Sequence, residues 1–112
     1  MNARTQALLW LAQRASAAVL ALCVVVHLAT MIYAVKNGLS AGEILGRTRG
    51  NYGWFGFYTL FVFAVAVHAP IGLRTIAAET FGWRSGLADA LALTFGVALA
   101  LWGMRAVLAV FV

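Results

Sequence analysis

The amino-acid sequence predicts an all-α membrane protein built on three transmembrane helices. Hydrophobic residues make up 64% of the 112 and charged residues only 10%, whereas a soluble domain is nearer half apolar and a quarter charged. The mean hydropathy is +0.95, and a water-soluble fold this small has too little interior to hide so much apolar surface. Three apolar runs are each long enough to cross a hydrocarbon core of about 30 Å at about 1.5 Å per residue. Backbone groups find no water in lipid and must be satisfied within the segment, so these runs are helices.

The first span covers residues 15–34, bounded by Arg14 and Lys36. Its length fits a span better than the core of a cleavable signal peptide, and no such peptide is evident. The second covers 54–73, with Arg49 before it and Arg74 after. The third covers 87–110 and is interrupted only by Asp89 and Arg105. The first connection, residues 35–53, is polar and glycine-rich, with residues 40–46 able to form a short interfacial helix. The second, around residues 75–86, carries Glu79 and Arg84 into water or headgroups. Trp10, Trp54, Trp83 and Trp102 lie near the span ends, as an aromatic belt requires. The whole chain, 1–112, reads as a single transmembrane domain.

The net charge is +5, but the basic residues form no stripe and no polar domain presents one, which argues against nucleic acid. They read as anchors at the lipid headgroups. Arg4, Arg14, Arg74 and Arg84 fall on one side; Lys36, Arg47, Arg49 and Arg105 fall on the other. The positive-inside rule is therefore tied. Cys23 is the only cysteine, and no CxxCH segment exists for covalent haem attachment. It reads as a packing residue. Ala92, Gly96 and Ala100, four apart, form a small-residue stripe that permits close helix contact.

Both histidines, His27 and His68, fall inside spans. A polar side chain in hydrocarbon is costly without a partner, so an intramembrane histidine points to a metal or haem, a proton relay or an interhelical hydrogen bond. If Arg14 and Arg74 mark one membrane surface, His27 lies about 20 Å from it and His68 about 9 Å. A difference of roughly 10 Å keeps the two from sharing one metal or one haem. Ala64 and Gly72, one turn to either side of His68, leave a recess for a flat ring. Pro70 is placed to bend the helix there. The competing reading for each histidine is a hydrogen bond to a neighbouring helix. Arg74 and Arg105 suit carboxylates such as haem propionates, or lipid phosphate.

Two segments resemble the membrane-anchor (cytochrome b) subunits of the succinate dehydrogenase and fumarate reductase family. Gln13-Arg14-Ala15-Ser16-Ala17 opens the first span as their QR-x-S/T-G/A segment does. His68-Ala69-Pro70-Ile71-Gly72-Leu73-Arg74, continuing to Glu79, resembles their H-x-x-x-G-[IL]-R-x-[LIM]-x-x-[DE] segment. The resemblance implies half of a multi-helix haem-binding bundle. It makes His68 an axial ligand of haem b and places Arg14 and Ser16 beside the quinone. His27 departs from the single-haem members and resembles the dihaem cytochromes b, where a first-helix histidine holds the second haem. It further implies an electron-transfer subunit without catalysis of its own, two haems b shared with a second membrane-anchor subunit, and flavoprotein and iron–sulfur partners. It implies a bacterial inner membrane with the N-terminus cytoplasmic. A small proton- or cation-coupled transporter and a haem-free structural subunit of a respiratory complex are the alternatives. Transport is disfavoured because Glu43, Glu79 and Asp89 all lie in connections or near span ends.

Overall fold

The structure is a computed structural model describing residues 2–112. Its helices are α1 (Ala3–Asn37), α2 (Ala41–Thr48), α3 (Tyr52–Phe81) and α4 (Gly86–Phe111), with no strand among the described residues. α1, α3 and α4 are long and apolar enough to cross a membrane. The chain is an all-α, multi-pass membrane protein.

Each helix ends at a capping residue rather than at the edge of its apolar run. Asn2 caps α1 by accepting a hydrogen bond from the Thr5 N–H at 2.8 Å, and the helix then runs through the polar first turns. α3 starts at the Asn51 cap and continues past Arg74 to Gly82, a left-handed C-cap (φ 65°). The Gly82 and Trp83 N–H groups both close that end on the Ala77 carbonyl, in a turn whose left-handed residue glycine adopts without strain. The second connection is therefore a short turn, Gly82–Ser85, where the sequence suggested residues 75–86. The apolar run marks what lipid must cover. It says little about where the backbone stops, since headgroups and water tolerate polar helix turns.

α2 is the short helix expected in the first connection, shifted slightly toward the C-terminus. Ser40 and Glu43 form a reciprocal capping box at its start. Its far end secures α4: the Thr48 hydroxyl donates to the Val110 carbonyl at 2.8 Å, and the Gly50 N–H donates to the Phe111 carbonyl at 2.8 Å. Two carbonyls that a helix C-terminus leaves unpaired are thus satisfied.

α3 is the central element; it packs on both α1 and α4, which barely meet each other. The α3–α4 seam explains the small-residue stripe. A Cβ at Gly96 would sit 2.6 Å from Pro70 Cγ and 3.1 Å from the Ala66 carbonyl oxygen, and one at Gly103 would sit 2.5 Å from Val62 Cγ1. Pro70 has no N–H to offer that carbonyl, so Gly96 sits beside the acceptor the proline leaves open. The buried residues Ala88, Ala92, Gly96 and Val107 mark the seam, and Gly103 joins it through its contact with Val62. A four-residue step drifts by about 40° around a helix, so a strict i+4 stripe rotates out of contact.

Candidate functional site

His68 faces α1. Its Nδ1 lies 3.3 Å from Ser16 Oγ, and that hydroxyl donates to the Gln13 carbonyl at 3.1 Å. Among the described residues Ser16 is the one buried polar residue, 7% exposed. The recess expected beside His68 is filled by the neighbouring helix: Ala64 is buried, and Gln13 Nε2 lies 3.2 Å from where a Gly72 Cβ would stand. Small residues at 64 and 72 thus serve the approach of α1, while His68 itself remains half-buried.

His27 stands on the same face of α1, eleven residues beyond Ser16. Tyr58 and Phe61 of α3 meet its ring edge-on, with centroids 5.9 and 5.7 Å away. Nδ1 of His27 is buried with no hydrogen-bond partner, an unmet polar demand in an apolar setting. The ring lines an open groove of about 870 Å³ between α1, α2 and the start of α3, within the size range of cofactor sites. Arg47 of α2 lies at one end. It donates to the Gly38 carbonyl at 2.8 Å and stands over the Tyr33 ring, 5.3 Å from its centroid.

The two histidines sit at different levels, further apart than the sequence suggested. Ser16 shares the level of His68, so eleven residues of α1 separate the histidines by about 16 Å. The shorter expectation of roughly 10 Å placed Arg14 and Arg74 on one plane. Gln13 in fact faces Gly72, so Arg74 lies further out than Arg14, on a helix that has not yet ended.

The arginines divide differently from expectation. Arg74 pairs with Asp89 across the α3–α4 hairpin, so an acidic partner is already present in the chain. Arg14 is exposed, its guanidinium 5.3 Å from the Trp10 ring centroid. Arg105 is level with His27 but points away from it. At about 100° per residue it falls nearly opposite the α4 face that packs on α3. It is exposed, with no hydrogen bond or ion pair among the described residues. The cation the structure brings to the His27 groove is Arg47, which sequence reasoning treated as a headgroup anchor. Its signal was its place on the capped helix α2, facing back toward α1.

No group of three or more His, Cys, Asp or Glu side chains able to hold a metal ion occurs among the described residues. A bare ion would be under-ligated at either histidine. A metal already held in a planar ring asks only one imidazole from each side, and each lone histidine has the donor type to fill one of those two positions.

A family model described as the succinate dehydrogenase/fumarate reductase transmembrane subunit matches residues 1–108. Comparison with curated proteins and with solved structures gave no match.

Proposed function

The chain belongs to the succinate dehydrogenase/fumarate reductase transmembrane-subunit family, and from that premise we propose that it anchors a succinate:quinone oxidoreductase and helps carry electrons between an iron–sulfur cluster and membrane quinone. The observation that carries this reading is the pair of lone histidines, His27 on α1 and His68 on α3, whose levels differ by about 16 Å measured along α1 from Ser16, each inside an apolar helix.

His68 offers Nε2 to one haem b, its Nδ1 being engaged with Ser16. His27 offers its ring to a second in the groove beside Tyr58. Bound haem supplies one-electron chemistry at a potential set by its axial ligands and surroundings. The opposite ligands come from a second membrane-anchor subunit. Arg47 stands where it can meet acidic groups of a haem at His27. Arg74 can serve a propionate near His68 only by sharing its guanidinium with Asp89, and Arg105 faces a partner or a lipid phosphate. Arg14 borders the quinone at the level of His68, with Ser16 behind it. The flavoprotein and iron–sulfur subunits dock on that side, in the cytoplasm, with the complex in the bacterial inner membrane. Glu43, held in a capping box, and Asp89, held by Arg74, are occupied structurally, which leaves them poor proton carriers for a transporter.

The test is a reduced-minus-oxidised optical spectrum of the purified complex, with pyridine haemochrome quantified per copy of this chain. Two haems b per complex are expected. A single haem returns His27 to a structural role, and none defeats the haem reading.

A further inference from the structure

We propose that Ser16 is a positioning residue for His68: its hydroxyl accepts the His68 Nδ1–H and so fixes the imidazole tautomer with the Nε2 lone pair facing outward. This rests on the reading of His68 as a haem ligand and adds to it a residue on a different helix.

A serine hydroxyl has one proton and two acceptor lone pairs. The Gln13 carbonyl, which can only accept, lies 3.1 Å away, and in the proposed arrangement it takes that proton. With that proton on Gln13, the 3.3 Å contact between Ser16 Oγ and His68 Nδ1 has the imidazole as donor. A neutral imidazole that carries its proton on Nδ1 has its lone pair on Nε2. The relay runs from His68 Nδ1–H to Ser16 Oγ, and from Ser16 Oγ–H to the backbone of α1. It is shielded from competing water, because Ser16 is 7% exposed. Metal-bound histidines generally need such an acceptor on the second ring nitrogen, which orients the ring and raises its basicity. Here the acceptor is a hydroxyl polarised through a helix carbonyl. His27 lacks the equivalent, since its Nδ1 has no partner. The two histidines therefore differ in electron-donating character, with His68 the stronger donor.

The experiment compares Ser16→Ala, Ser16→Cys and Ser16→Thr in the assembled complex. Each is read by redox titration of the haem optical bands and by electron paramagnetic resonance of the low-spin ferric haems. Ser16→Ala removes the acceptor. Ser16→Cys keeps the volume but accepts weakly, and it covers the case in which the alanine variant does not assemble. Both are expected to keep two haems and to raise the midpoint potential of one only, with a changed ferric signal for that haem. Ser16→Thr, which retains the hydroxyl, is expected to restore the parental potential. Unchanged potentials in the alanine and cysteine variants would overturn the proposal and leave the haem-ligand reading intact. Full haem content in His68→Ala would instead sink that underlying reading.

Discussion

A buried imidazole nitrogen without a partner is a demand that something else must meet. His27 Nδ1 is such an atom, and Tyr58 and Phe61 hold the ring in place without satisfying it. His27→Ala should lower haem content from two to one per complex and leave the higher-order assembly intact, as judged by pyridine haemochrome on size-fractionated complex. Two haems in that variant would return the groove to lipid. Arg47→Ala belongs to the same test. It removes a guanidinium that also holds the Gly38 carbonyl, so the expected loss is partial: weaker retention of the second haem in detergent, with the first unaffected. Arg74 and Asp89 are a different case. Their pair is half-exposed at the end of the hairpin, and such pairs contribute about 0–1 kcal/mol, so Arg74→Gln should change thermal stability little. That both histidines fall in apolar helices and at different levels was legible in the sequence from hydropathy and the helical rise, but their separation was not, because it depends on how far α3 runs past α1, with Gln13 and not Arg14 facing Gly72. What each ring touches was not, because that depends on which face of α3 meets α1.

At the scale of helices, the close approaches are where single atoms matter. Gly96→Ala places a Cβ against the Pro70 ring and the Ala66 carbonyl, neither of which can swing aside as a flexible side chain does. Overpacking of this kind costs about 1–3 kcal/mol. A matching drop in the thermal stability of the detergent-solubilised complex, without change in haem spectrum, is the expected result. No drop would mean α4 can slide along α3. The stripe of small residues announced that α4 packs closely on something. It did not identify α3 as the partner, and its four-residue spacing left out Gly103, which meets Val62. The element ends were equally partial. Ser40 with Glu43 is a local signal and was readable as a helix start, whereas the extension of α3 to Phe81 follows from the Gly82 cap beyond the apolar run.

At the scale of the whole molecule, α3 is covered on two sides while α1 and α4 expose long apolar faces, including Leu22 and Trp102. Lipid can cover those faces, but it cannot complete the coordination of a haem. His27 on α1 and His68 on α3 differ in level by about 16 Å, so no single iron reaches both. If each holds a haem, as proposed, each would need a second ligand from outside the chain. It follows that the chain produced without its partner anchor should show no six-coordinate low-spin haem spectrum when haem is supplied, and that co-expression with the partner should restore it. A low-spin bis-histidine spectrum from the chain alone would show that it pairs with a second copy of itself. Analytical ultracentrifugation of that preparation would then have to find a dimer, because one copy holds only one histidine at each level.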